Sequence, residues 1–209
     1  MCHQTGRHEM RMIMTKIILA SGSPRRKELL EQIKLPYEVI VSDVDETTQP
    51  EKPEQIVREL SKRKAIDVFE SSYDSPDSDD TLIVIGADTV VAHNGKILGK
   101  PLDYDDAFSM IKSYSGQSHH VYTGVTLAGI KNGKKFVDSF VEDTKVYVTA
   151  LTDEEIHQYL RTGESMDKAG AYGIQGAFAA YISRIEGDYF NVVGLPLCAL
   201  QTNLKKYIN

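Results

Sequence analysis

The sequence predicts a single α/β domain, leaning to α+β, built in two lobes on one mixed sheet. Three observations carry that prediction. Early apolar runs alternate with segments whose apolar residues recur at helical spacing, two Asn-Gly pairs mark tight hairpins in the middle of the chain, and a proline opens a closing helix. A chain of 209 residues is long enough to bury roughly 70% of its unfolded surface in one core. Its 41% hydrophobic and 26% charged residues give no compositional reason for disorder.

The first strand is expected over Ile17 to Ala20, followed by a turn of small residues and a helix from about Pro24. Ser23 stands at the N-cap, proline suits the first helical turn, and Leu29, Leu30 and Ile33 share a face. "YEVIVSDVDE" reads as a second strand ending in acids. "PEQIVRELSKRKAIDVF" reads as a long helix after Pro53, with Lys64 on or beside its buried face, and Ser71 to Asp80 as an acidic surface loop. "TLIVIGADTVVAHNGKILGKP" predicts two apolar strand runs flanking Gly86 to Thr89, then a hairpin at Asn94-Gly95. A helix capped by Asp103 follows, then a longer hairpin around Asn132-Gly133 and a helix opened by the capping box of Thr152 and Glu155. The last third predicts a glycine-punctuated loop, a strand turning near Gly187 and a helix opened by Pro196.

Residues 1–13 are expected to be a dispensable leader, with Met14 the more natural start and 14–209 one domain. No apolar run approaches the roughly 20 residues of a bilayer span, so no membrane partner is expected. A net charge of −6 repels a long polyanion, which excludes a nucleic-acid polymer as partner and leaves small phosphorylated ligands. Cys2 lies in the polar leader and Cys198 in the apolar run "LPLCAL", where it reads as a buried thiol. That usage predicts a reducing, cytoplasmic setting.

Two features carry the strongest chemical signal, an arginine pair and a lone acid. Arg25 and Arg26 occupy the first turn of a helix, where cations oppose the dipole unless an anion lies between. With Ser21, Gly22 and Ser23 small enough for close approach, the turn reads as a phosphate site; the alternative is a solvated pair tied to a surface carboxylate. Asp88 stands inside apolar strand sequence, where a carboxylate costs several kcal/mol unless a cation or hydrogen bonds compensate. It is either a structural acid bonded to backbone amides or a base and metal ligand. Asp45, Glu46, Lys64 and Lys100 supply the companions that phosphoryl chemistry needs, cations for the phosphates and carboxylates for a divalent ion or a water. There is no G-x-x-x-x-G-K-[ST], no G-x-G-x-x-G after a strand, no H-E-x-x-H and no paired C-x-x-C. His119 and His120, adjacent in a strand, point to opposite faces and read as structural or surface residues.

In order along the chain stand "SGSPRRKELL", "GADTVV", "LGKP", "SGQSHHVYTGV", "DKAGAYGIQG" and "GDYFNVVGLP". Together they resemble the Maf family of nucleoside triphosphate pyrophosphatases, also described as septum formation inhibitor proteins, from Thr15 to about Tyr207. The resemblance implies a two-lobed fold like that of inosine triphosphate pyrophosphatases, release of pyrophosphate from a nucleoside triphosphate, a divalent metal (Mg²⁺ or Mn²⁺) and a homodimer. "DKAGAYGIQG" is similar to the dTTP/UTP pyrophosphatase branch rather than the 7-methyl-GTP branch, which implies dTTP and UTP as substrates and extends to modified pyrimidine nucleotides. By motif, Asp88 matches the proton acceptor, and Arg25, Thr89 and Gln175 match positions tied to substrate choice. Glu46, Lys64 and Lys100 match further active-site positions. The leader and the acidic 71–80 loop depart from the family pattern.

The expected chemistry follows. Asp88 and Glu46 hold the metal and orient a water, Asp88 takes its proton, and Ser21, Arg25, Arg26, Lys64 and Lys100 receive the triphosphate. The Gln175 amide can donate to O4 and accept from N3–H of uracil or thymine. The rival reading is a non-hydrolysing nucleotide-binding regulator of cell division. Asp88, Glu46 and Lys100 favour the enzyme, because a sensor needs no in-line water.

Overall fold

The computed structural model describes residues 15–48, 52–73 and 81–208; the expected leader, Met14 and most of the acidic loop lie outside them. Strand β1 (Thr15–Leu19) leads through a turn into α1 (Pro24–Gln32), and β2 (Glu38–Val39) returns parallel to β1. Helix α2 (Pro53–Ser72) crosses to β3 (Thr81–His93), which turns at Asn94-Gly95 into β4 (Lys96–Leu98). After α3 (Tyr104–Tyr114) come the long hairpin strands β5 (Ser118–Lys131) and β6 (Lys134–Val148), then α4 (Asp153–Leu160). A loop with two 3₁₀ turns leads to β7 (Ile182–Glu186), the short α5 (Tyr189–Val193) and α6 (Leu197–Ile208).

The strands form one mixed sheet in the order β2-β1-β3-β5-β6-β7, with β4 beside β3. β1 is parallel to its neighbours and the other pairs are antiparallel. β1 accompanies β3 from Thr81 to Ile85, and β4 accompanies it from Val91 to His93. Between them, Gly86 to Val90 have no strand partner on that edge, while β5 pairs the other edge continuously from Leu82 to Ala92. The sheet therefore has a notch beside Asp88 and Thr89.

The expected two lobes correspond to two cores that share these strands. Ile83, Ile85 and Ala87 pack with β1, α1 and α6 through Leu19, Leu30 and Leu200. Val91 and Val121 pack with α3, α4 and the loop beyond it through Ile111, Ile156 and Phe178. The opposite face is covered by α2, whose Ala65 and Val68 meet Ile18 and Val84.

Helix α2 lies unusually close to the sheet. A Cβ added at Gly86 would stand 2.2 Å from the Ser61 carbonyl, and one at Gly124 would stand 2.2 Å from that of Val57. Gly124 is also the cross-strand partner of Asp88. The small residues let the helix backbone rest on the strands, and a buried hydrogen bond of 3.0 Å between the hydroxyls of Ser61 and Thr126 fixes it there. This contact sets the height of Lys64 above Asp88.

Several expectations need correction. β2 has two residues instead of a full strand: Val39, Ile40 and Val41 are 38%, 37% and 57% exposed because no layer covers them. The chain then leans on α2, where the Ser42 hydroxyl donates to Asp67 at 2.7 Å. The two apolar runs around Gly86 to Thr89 are one unbroken strand of 13 residues, so Asp88 is within β3 and not between strands. Ser71 and Ser72 belong to the end of α2, and residues 74–80 lie outside the described residues. Cys198 is exposed, since Leu197, Leu200 and Leu204 make the buried face of α6. No periodic pattern announces α5, five residues held by the Asp188 cap.

If the close approach of α2 supports the fold, Gly124→Ala is expected to lower stability by about 1–3 kcal/mol. Urea unfolding measures this, and an unchanged midpoint would mean that the helix has room to move.

Candidate active site

A cleft of about 580 Å³ opens at the notch in the sheet. Ser21, Arg25, Arg26, Glu46, Lys64, Asp88, Thr89, Lys100 and Gln175 all line it. They come from the β1–α1 turn, the first turn of α1, the segment after β2, helix α2, strand β3, the segment after β4 and the loop before β7. Asp45 does not join them: its carboxylate turns back to the Thr47 amide and hydroxyl, at 2.9 and 2.7 Å.

The Lys64 ammonium holds the two acids together. Its Nζ is 2.7 Å from Asp88 Oδ1 and 2.8 Å from Glu46 Oε1. Lys64 and Asp88 are nearly enclosed, each with a side chain 11% exposed, whereas that of Glu46 is 63% exposed. The two carboxyls consequently shift in opposite directions. Burial raises the Asp88 pKa above the usual carboxylate range, against the pull of Lys64 and Arg26. The hydrogen bond from Lys64 lowers that of Glu46 and, with the nearby cations, outweighs the opposing effect of burial. Asp88 is thus the stronger base of the pair and needs no distant group to become one. Among the described residues its hydrogen bond comes from Lys64 and not from backbone amides, unlike the structural alternative.

Arg26 is half-buried, and burial lowers its pKa despite Asp88 nearby. It donates from Nε to the Gly194 carbonyl at 2.9 Å, and from its terminal nitrogens to Ser21 Oγ at 3.1 Å and Thr89 Oγ1 at 3.2 Å. Three of its five N–H groups are therefore engaged, and two remain for a ligand. Ser23, expected to cap α1, makes no side-chain cap; its amide donates to Ser21 Oγ at 3.3 Å. Arg25 is less constrained, 3.4 Å from Asp167, whose carboxylate also takes Lys168 at 2.7 Å. Lys100 and Gln175 are exposed at the cleft and make no hydrogen bond or ion pair with the described residues. Both are available to a ligand.

Asp88 and Glu46 converge on one cation, and their carboxylates are the groups that could hold another. Two carboxylates suit a hard divalent ion such as Mg²⁺ or Mn²⁺. Among the described residues no group of three or more His, Cys, Asp or Glu side chains forms a cage, so a bound ion would draw further ligands from substrate phosphates and water, as Mg²⁺ commonly does.

Sequence reasoning passed over several residues that shape this cleft. Arg63, next to Lys64, donates to the carbonyls of Asp45 and Thr47 at 3.3 and 3.0 Å and so holds the backbone on either side of Glu46. No local pattern marks it. Asn191 is fully buried and donates to the Val121 carbonyl and to Thr144 Oγ1, both at 2.9 Å. Its signal was available: a polar residue inside the apolar run "YFNVVGL", the same anomaly that identifies Asp88. The two histidines behave as expected, His119 buried against the Tyr172 hydroxyl at 2.7 Å and His120 outside against Asp143 at 2.8 Å. Burial drives the His119 pKa down to about 3, so it is neutral.

A family model described as Maf-like protein matches residues 16–207. The chain is 49% identical over 196 residues to a dTTP/UTP pyrophosphatase of Lachnoclostridium phytofermentans, covering 93% of this chain and 96% of that protein. It is 49% identical over 191 residues to one from Thermoanaerobacter sp. strain X514, covering 91% and 96%. It is 48% identical over 198 residues to one from Alkaliphilus oremlandii, covering 94% and 98%.

The raised pKa of Asp88 has a consequence for stability. A carboxyl that binds its proton more tightly in the folded state stabilises the fold below its unfolded pKa, and that contribution is lost as pH rises through the folded pKa. At neutral pH the ionised Asp88 is a net cost. Asp88→Asn is therefore expected to melt at a higher temperature than the parent at pH 7, with the gap closing as pH falls through the raised folded pKa and gone below about 4. Thermal unfolding across that range tests this, and a less stable variant at pH 7 would show that the ion pair outweighs burial.

Proposed function

The chain belongs to the Maf-like family, and on that premise we propose that it is a nucleoside triphosphate pyrophosphatase that releases pyrophosphate from dTTP and UTP. The observation that carries this reading is the pairing of a buried, basic Asp88 with Glu46 through Lys64, at the floor of a cleft that also presents Arg25, Arg26 and Lys100.

The reaction breaks the bond between the α-phosphorus and the bridging oxygen to the β-phosphate, with water as nucleophile. Asp88 takes a proton from the water, and its raised pKa makes it a better base for that transfer than a solvated carboxylate. Lys64 keeps the carboxylate in one rotamer and lies close enough to share the charge that develops on the phosphate. The exposed Arg25 and Lys100 neutralise the outer phosphates, and the Ser21 hydroxyl and the two free N–H groups of Arg26 face the inner ones. Asp88 and Glu46 are the residues that would hold a divalent ion, which when bound neutralises phosphate charge and acidifies water. Gln175 presents an unpaired amide whose donor and acceptor suit the O4 and N3–H edge of uracil or thymine. The same reading makes the protein a cytoplasmic homodimer, a state that light scattering on the purified chain reads directly.

Incubation with Mg²⁺ and a panel of triphosphates is expected to give monophosphate and pyrophosphate from dTTP and UTP, with turnover lost in EDTA and in Asp88→Asn while the far-UV spectrum is kept. Nucleotide binding without turnover would instead identify the regulator of cell division, and full activity of Asp88→Asn would remove Asp88 as the base. Gln175→Ala is expected to keep the fold and lower the preference for dTTP and UTP over CTP by about tenfold. An unchanged preference in competition assays would take Gln175 out of the account of specificity.

A further inference from the structure

The hydroxyls of Ser21 and Thr89 flank the same guanidinium, that of Arg26, yet they face the cleft with opposite polarity. Ser21 Oγ accepts from Arg26 and from the Ser23 amide, so its own proton is left for a ligand oxygen. Thr89 Oγ1 also accepts from Arg26, and it lies 2.9 Å from Thr123 Oγ1. Thr123 Oγ1 in turn lies 3.0 Å from the backbone carbonyl of Asn191, which can only accept. The single proton of Thr123 is committed to that carbonyl. The proton between the two threonines must therefore come from Thr89, and the chain runs in one direction, from Arg26 to Thr89 to Thr123 to Asn191. Thr89 has no proton left for the cleft, only a lone pair.

Thr123 is fully buried and is the cross-strand partner of Thr89, and Asn191 is locked by Val121 and Thr144. The direction of the chain is thus set by rigid parts of the fold. A phosphate oxygen, an acceptor, is the wrong partner for Thr89. The water beside Asp88 is also a poor fit, because neighbouring residues of a strand point to opposite faces: Asp88 goes toward α2, Thr89 toward Arg26 and α5. Gln175 serves the N3–H of the base. dTTP has no 2′-hydroxyl, so the O–H donor that dTTP and UTP have left in common is the 3′-hydroxyl of the sugar.

We infer that Thr123 is a positioning residue that fixes Thr89 as a pure acceptor, and that Thr89 thereby reads the 3′-hydroxyl of the nucleotide. This deepens the pyrophosphatase reading and rests on it. The test is a binding measurement that needs no turnover: calorimetric titration with Mg²⁺ of α,β-methylene-dTTP and of its 3′-deoxy counterpart. The wild-type chain is expected to prefer the 3′-hydroxyl form by several-fold, up to about tenfold. Thr123→Val, similar in shape but without the acceptor, frees the Thr89 proton and brings the ratio close to one, whereas Thr123→Ser retains it. Thr89→Val removes the acceptor itself and abolishes the preference by the same amount, which keeps the inference testable should Thr123→Val fold poorly. A purely structural role for Thr123 would weaken both ligands equally and leave the ratio intact. Equal affinity of the wild type for both ligands, or a preserved ratio in Thr123→Val, overturns this inference alone; binding of neither ligand overturns the nucleotide reading and this inference with it.

Discussion

The site depends on one contact, the seating of α2 on the glycines of β3 and β5. Lys64 reaches Asp88 and Glu46 together only because the backbone of its helix rests against strands that have no side chain at Gly86 and Gly124. An isolated carboxylate at the position of Asp88 would be expensive to bury. With the ammonium in place it is tolerated but still raised in pKa, which is the compromise a base requires. The same helix carries Arg63, whose guanidinium holds the backbone around Glu46. Adjacent side chains on one turn of α2 thus determine the positions of both acids.

A second layer lies behind the first and is polar where a core is usually apolar. Thr123, Thr126, Thr144, Ser61 and Asn191 are all buried, and all are hydrogen-bonded. They connect α2, the central strands and α5 through short directional bonds, and such bonds define orientation where hydrophobic contact defines only proximity. Arg26 is part of this layer as much as of the cleft. Its contacts with Ser21, Thr89 and Gly194 join the start of α1, the middle of β3 and the end of α5 around one guanidinium.

Much of this was legible in the sequence. The hairpins at Asn94-Gly95 and Asn132-Gly133, the Asp103 cap and the Thr152 capping box lie where local chemistry placed them, because each depends on neighbours within four residues. Asp88 declared itself as a charge in an apolar run, and the motifs located its companions. What could not be read was set by distant contacts. "VIV" after Glu38 has strand sequence but no covering layer, and Cys198 lies in apolar sequence on the outward side of its helix. Arg63 and Thr123 look ordinary until α2 and β5 place them behind Glu46 and Thr89.

The unbroken central strands also constrain how the molecule handles a ligand. β3 runs 13 residues through both cores, and β5 and β6 run 14 and 15 residues beside it without a chain break at the cleft. Unbroken strands shared by both cores leave no loop hinge between the lobes, which disfavours a rigid-body swing to admit a nucleotide. Access falls to the parts outside the ladder: the segment bearing Glu46, the Lys100 turn and the loop from Asp167 to Gln175. Mechanically the protein resembles a fixed frame with adjustable jaws: Asp88, Thr89, Lys64 and Arg26 sit on the frame, and Glu46, Lys100 and Gln175 sit on the jaws.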